Sequence, residues 1–154
     1  MRILPLAPEH LADVAGLERL CFPEEPWSEQ ALEVLCRDHG TGYVAVDEDG
    51  RAIAYVGMTY AADEGSITNV ATHPDARRKG LGRAVVEALL AKAASLDLAF
   101  VYLEVRPSNA AAIALYHSLG FTLVGRRKNF YRHPTEDALL MQVDPSRGTS
   151  PKKD

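Results

Sequence analysis

Four cations, Arg77, Arg78, Lys79 and Arg83, crowd around Gly80 and Gly82. The run R-R-K-G-L-G-R follows an apolar strand expected over 66–72 and a turn at His73-Pro74-Asp75. It opens a helix expected from Leu81 or Gly82 to about Ser95. Backbone amides presented by a glycine loop at a helix N-terminus bind anions. A solvated basic loop making a tight strand-to-helix turn is the plainer alternative, because glycine serves turns generally. A Walker loop is disfavoured, since Gly80 is followed by Leu81-Gly82-Arg83 and not by Lys-Ser or Lys-Thr. A dinucleotide fingerprint fails at position 85, which is valine where a third glycine is needed. Such cation density in an acidic chain fits a multiply charged phosphate ligand.

Two further residues could move protons. Glu104 interrupts the apolar run V-Y-L-E-V near the C-terminal end of a strand, where ligands gather in sheets with parallel strands. By alternation it shares a face with Phe100 and Tyr102, which argues against the alternative of a solvent-facing glutamate. Tyr116 lies in A-I-A-L-Y-H-S-L-G-F, where helical spacing allows a core tyrosine or a proton donor. The histidines, His10, His39, His73, His117 and His133, lack metal spacing and are expected at the surface. Cys21 and Cys36 form no C-x-x-C and are read as apolar fillers, so no metal is expected.

The elements that must hold these residues run β-α-α-β-β-β-α-β-α-β-β. A strand at 2–6 and a helix at 9–21 come first. A second, short helix follows, capped by Ser28 and ended by Gly40. Strands at 42–46 and 52–60 flank the turn D-E-D-G, and a loop at 61–65 leads into the strand at 66–72. After the basic loop and its helix come a strand at 99–105 and a helix capped by Ser108 or Asn109, running to 119. Gly120 is placed for positive φ. A strand at 121–127, a polar loop at 128–135 and a strand at 137–143 complete the order. This is a mixed α/β sheet in a single domain, 1–143, with 144–154 read as a disordered tail.

The bulk properties narrow the partners. Apolar residues make up 47% and charged residues 25%, ordinary for a globular chain. The net charge is −4, and because the last eleven residues carry +1, residues 1–143 hold −5. That argues against nucleic acid and suits a basic protein substrate. With no apolar run of about 18 residues and no signal-peptide h-region in M-R-I-L-P-L, the expectation is a cytoplasmic protein without membrane partners. Oligomeric state is not legible.

The order strand, R-R-K-G-L-G, helix resembles the Arg/Gln-x-x-Gly-x-Gly/Ala motif of the GNAT superfamily of N-acetyltransferases. The likeness extends over nearly the whole chain in element order. It implies a single-domain GNAT fold, a mixed and mostly antiparallel sheet of about seven strands with about four helices. It also implies acetyl-CoA as co-substrate, its pyrophosphate held by Arg77, Arg78, Lys79, Gly80, Leu81, Gly82 and Arg83. The segment L-E-V-R-P-S-N-A-A-A-I-A-L-Y-H-S-L-G-F is similar to bacterial ribosomal-protein-alanine N-acetyltransferases. That similarity assigns Glu104 as proton acceptor, Tyr116 as proton donor and Asn109 as a coenzyme A contact, although an N-cap role would also place Asn109 there. Val70, Ala71 and Thr72 match the strand whose backbone pairs with the acetyl-pantetheine arm.

Two stretches resemble that subfamily's acceptor site. F-P-E-E-P-W-S, with three residues more than the family's Phe-Pro-Trp-Ser, offers Trp27, which a core role would also explain. R-R-K-N-F-Y, with a lysine inserted and phenylalanine for the first tyrosine, offers Tyr131. The resemblance thus implies acetyl transfer to the N-terminal alanine of a ribosomal protein by direct attack on the thioester. The alternatives are a lysine or small-molecule amine as acceptor, or a non-catalytic acetyl-CoA-binding regulatory module.

Overall fold

Local chemistry sets most element ends in the computed structural model, which describes residues 1–148. The Ser28 side chain accepts from the Ala31 amide at 3.0 Å and starts helix α2, Glu29–Leu32. The Asp47 carboxylate accepts from the Asp49 and Arg51 amides and folds the turn between strands β2, Gly40–Val46, and β3, Ala52–Ala61. Asn109 accepts from the Ala112 amide at 3.1 Å and caps helix α4, Ala110–Ser118. Gly120 follows that helix at φ 97, as its position predicts.

With β1, Arg2–Pro5, β4, Glu64–Thr72, β5, Phe100–Val105, β6, Thr122–Tyr131, and β7, Glu136–Val143, the strands form one mixed sheet in the order β1-β2-β3-β4-β5-β7-β6. Helices α1, Leu11–Cys21, and α3, Leu81–Ser95, complete a single-domain α/β fold. By contacts the chain groups into two units, one of Met1–Ala61 with Thr68–Leu89 and one of Ala62–Ile67 with the chain from Leu90 on.

In the first unit β1, β2 and β3 pair antiparallel, with Arg2 opposite Val46 and Gly40 opposite Thr59. Helix α1 buries Leu11, Val14 and Leu17 in one cluster with Leu32, Leu35, Val44, Val46, Tyr55 and Ala71. Gly57 is there for space. A Cβ on it would lie 2.6 Å from Leu35 Cδ1 and 2.7 Å from Thr68 Oγ1.

In the second unit the start of β4 pairs in parallel with β5, Glu64 to Ser66 against Phe100 to Tyr102. Strand β7 lies antiparallel between β5 and β6. Val101, Leu103 and Val105 are buried and alternate with Phe100, Tyr102 and Glu104.

Several expectations from sequence shift. The short helix ends in a 3-10 turn at Glu33–Cys36, and Gly40 opens β2 instead of ending the helix. The loop expected at 61–65 shrinks to a turn, because β4 already begins at Glu64. Strand β6 runs on to Tyr131, paired with Glu136, where a polar loop was expected from 128; Asn129 at φ 50 absorbs the irregularity. His10 is buried and accepts the Ala7 amide at 3.0 Å, so it is no surface histidine. Pro145–Gly148 forms one helical turn, capped by Asp144 on Ser146, within the stretch read as a tail. Residues 149–154 lie outside the described residues.

Candidate active site

The basic loop lies in the first unit. His73 Nδ1 accepts from the Asp75 amide and caps a 3-10 turn at Pro74–Ala76. The chain then swings through Arg78 at φ 67 and Gly80 at φ 77 before α3 begins at Leu81. A Cβ on Gly80 would meet nothing within 4 Å, so conformation and not space calls for glycine here. The bond from the Ala84 amide to the Gly80 carbonyl, 3.0 Å, closes the first turn of α3. The amides of Leu81 and Gly82 lie in that first turn, at the helix's positive end, the arrangement that receives an anion.

The cations of this loop divide their work. Arg77 turns back on the strand: its Nε donates to the Thr72 carbonyl at 3.2 Å, and a terminal guanidinium nitrogen lies 3.5 Å from Cys21 Sγ. Cys21 Sγ donates to the same carbonyl at 3.4 Å. Arg77 is thus a brace on the end of β4. Arg83 lies 3.6 Å from Glu87, one turn along α3. Arg78 and Lys79 are exposed beside Gly80.

On strand β4 Thr68 Oγ1 sits against Gly57, and the next residue, Asn69, reaches Glu18 on α1 through Nδ2 at 2.9 Å. Beyond Asn69, Ala71 is buried in the core cluster, while Val70 and Thr72 are half-buried. Trp27 packs against that cluster, and its amide donates to Glu18 Oε1 at 2.9 Å.

The proton-transfer candidates lie in the second unit. Glu104 is half-buried on β5 beside Tyr102, with Phe100, on the same face, exposed. Its Oε2 pairs with Arg127 Nε at 3.1 Å. Tyr116 is buried, its ring 5.6 Å from that of Phe121. Burial pushes its phenol above the usual range, and Tyr131 adds to the effect. Tyr131 is pushed up to about 12, first by burial and then by the Glu104 carboxylate, with Arg106 working the other way. Of the two phenols, Tyr131 is the one that Glu104 raises, and it also lies under the Arg106 guanidinium. Asn109 is the exposed cap of α4.

Arg106 is a residue that sequence reasoning passed over. Its guanidinium lies 4.4 Å from the centre of the Tyr131 ring, donates to the Pro134 and Arg132 carbonyls at 2.9 Å, and pairs with Glu136 at 3.1 Å. Desolvation works against the Glu136 carboxylate, but bonds from Ser108 and Arg106 outweigh it and hold the carboxyl below its usual range. The signal for Arg127 was the R-R-K run itself, which only strand pairing aims at Glu104. Buried Glu18 was also missed. It lies four residues after Val14 and seven after Leu11, on the apolar stripe of α1, and that spacing could have found it.

Among the described residues no cluster of three or more His, Cys, Asp or Glu side chains could hold a metal ion, and no helix is long and apolar enough to cross a membrane. A depression of about 520 Å³ in the first unit, lined by Asp13, Leu17, Arg51 and His73 among others, includes none of the residues expected to act in catalysis or ligand binding.

The acetyltransferase (GNAT) family model matches residues 11–121. The chain belongs to the GNAT family. As a GNAT protein it is an acyltransferase, and relatives agree on that class. The [ribosomal protein bS18]-alanine N-acetyltransferase of Escherichia coli is 40% identical over 124 residues, covering 77% of this chain and 80% of the relative. The crystal structure of the ribosomal-protein-S18-alanine N-acetyltransferase from Escherichia coli superposes with a TM-score of 0.87 at 32% identity, covering 99% of both chains. A GNAT phosphinothricin acetyltransferase from Sinorhizobium meliloti, solved in complex with AcCoA, shares the fold with a TM-score of 0.79 at 22% identity, covering 99% of this chain and 92% of that one.

Proposed function

We propose that this GNAT enzyme transfers the acetyl group of acetyl-CoA to the α-amine of an N-terminal alanine on a ribosomal protein, in the cytoplasm. The observation that carries the reading is Glu104, half-buried on β5 and held by Arg127 at 3.1 Å on the face it shares with Tyr102. A mere binding module needs no such carboxylate. The name of the 40% identical relative supports the choice of acceptor.

Acyl transfer to an amine makes three demands. The ammonium must lose a proton, the tetrahedral oxyanion needs donors, and the leaving thiolate gains from a nearby proton. Glu104 takes the proton from the acceptor amine, directly or through a water. Its present partner, Arg127, is a cation that an incoming ammonium would replace. Tyr116 is the proposed proton donor to the thiolate. Because burial raises its phenol above the usual range, outright transfer to a thiolate of pKa about 8.5 is uphill. A hydrogen bond to the charge as it develops is the role this supports, and a thiolate is a tolerable leaving group unaided.

For the donor, the amides of Leu81 and Gly82 at the start of α3 suit the pyrophosphate, with Arg78, Lys79, Gly80 and Arg83 beside them. The backbone of Val70, Ala71 and Thr72 suits the pantetheine amides, with Arg77 and Cys21 fixing the strand's end. Asn109 is proposed to cap α4 and to meet the coenzyme. Trp27 and Tyr131 are proposed to border the acceptor.

An α-amine of pKa about 7.7–8.0 is partly neutral at cell pH, whereas a lysine near ~10.4 is not, so one carboxylate base serves the former more readily. The test is thiol release from acetyl-CoA with Ala-starting peptides, lysine-containing peptides and small amines. A preference for Ala-starting peptides is expected. Preference for lysine or small amines would overturn the acceptor, and tight acetyl-CoA binding without turnover on any acceptor would overturn catalysis.

A further inference from the structure

Glu18 has no part in the chemistry above, yet its fractional exposure is 0%. Its partners are three neutral donors. The Trp27 amide donates to Oε1 at 2.9 Å, Asn69 Nδ2 donates to Oε2 at 2.9 Å, and the Tyr55 hydroxyl donates to Oε2 as well. Burial first, and this carboxylate second, push the Tyr55 phenol up, so it keeps its proton and remains a donor. Removing a carboxylate from water is costly, and a well-packed apolar residue is often at least as stabilising. Stability alone is therefore a weak reason for Glu18.

What the three donors have in common is their place. Trp27 ends the irregular chain between α1 and α2. Asn69 stands on β4, one residue before Val70. Tyr55 bridges them on β3, and all belong to the first unit. A carboxylate is acceptor-only, with room for about four hydrogen bonds on its two oxygens. A glutamine here would set its own NH₂ against one of these donors, and an apolar side chain would leave all three without an acceptor.

We propose that Glu18 is a positioning residue that locks the acceptor-side segment at Trp27 to the donor-side strand at Asn69–Thr72, so that both substrates meet a fixed frame. The inference rests on reading 22–28 as part of the acceptor wall and Val70–Thr72 as the donor strand.

Trp27 is the single tryptophan of the chain, so its fluorescence reports on the segment without any need for turnover. In Glu18→Gln, acrylamide quenching of Trp27 is expected to rise. The KM values for acetyl-CoA and for an Ala-starting peptide are expected to rise roughly tenfold, the effect of losing about one charge-assisted hydrogen bond, with kcat per folded enzyme changing less than about threefold. The double variant Glu18→Gln/Asn69→Asp, in which the glutamine donates to an aspartate, is expected to recover most of the acetyl-CoA KM. A lower melting temperature with both KM values unchanged would reduce Glu18 to a core residue and overturn the proposal. Should Glu18→Gln fail to fold, Asn69→Ala removes one donor only and is expected to raise the acetyl-CoA KM with Trp27 quenching unchanged; an unaltered KM there also overturns it. If the wild-type protein acetylates nothing, the functional reading fails, while unaltered Trp27 quenching in Glu18→Gln would separately sink the link to Trp27.

Discussion

Gly80 allows backbone conformation to be tested apart from side-chain bulk. Its φ is 77, and a Cβ built on it would touch nothing within 4 Å. Alanine there costs about 1–2 kcal/mol, the strain of a left-handed conformation for an L-residue. If the loop keeps its shape, that amount appears as lost stability. If the loop relaxes, the amides before Ala84 turn away and acetyl-CoA binds roughly 5- to 30-fold more weakly. Asparagine is bulkier than alanine but tolerates the left-handed region better. The combined loss should therefore rank Gly80→Asn below Gly80→Ala, with the β-branched Gly80→Val worst. A ranking by bulk would put asparagine above alanine instead. Thermal melts and calorimetric titration with acetyl-CoA on the purified variants read both terms. Asparagine proving worse than alanine, or alanine leaving melting temperature and affinity unchanged, would refute the amide-cradle argument.

Two further outcomes follow from the second unit. Glu104→Gln is expected to lower kcat by roughly 10²–10⁴-fold and to remove the acidic limb of the pH–rate profile, with acetyl-CoA affinity nearly intact by titration; unchanged activity would show that another group takes the proton. Tyr131 is pushed up to about 12 by burial and Glu104. A phenol raised in the folded state adds stability that is fully present below its unfolded pKa of about 10 and is lost as pH rises toward the folded value. Melting temperature should accordingly fall from about pH 10 upward, and less steeply in Tyr131→Phe; equal slopes would mean that Tyr131 is not so held.

Much of the frame was legible because it is local. Ser28, Asp47 and Asn109 accept amides two to four residues onward, and Gly120 takes the positive φ that a helix end demands. The period-2 alternation of F-V-Y-L-E-V put Glu104 on the face of Tyr102, where it lies. The start of α3 at Leu81 could be read from the glycines. Other local readings failed where pairing overrode composition. The stretch K-N-F-Y is polar and broken by Asn129, yet β7 holds it as strand as far as Tyr131. The contacts of Arg77 with the Thr72 carbonyl and Cys21 Sγ were not legible in the basic run either.

By itself the sequence determined the element order and the start of α3 at the glycine loop, because each depends on spacing within a few turns of chain, and it nominated Glu104 and Tyr116 as the residues to move protons. Only the tertiary structure decided which charges do other work. Arg127 meets Glu104 because β6 and β5 both pair with β7, and Arg106 covers Tyr131 from 25 residues away in the chain. Glu18 is buried because Tyr55 and Asn69, 37 and 51 residues further on, supply its donors. A charge acquires its partners only after distant strands are in register, and no local periodicity carries that information.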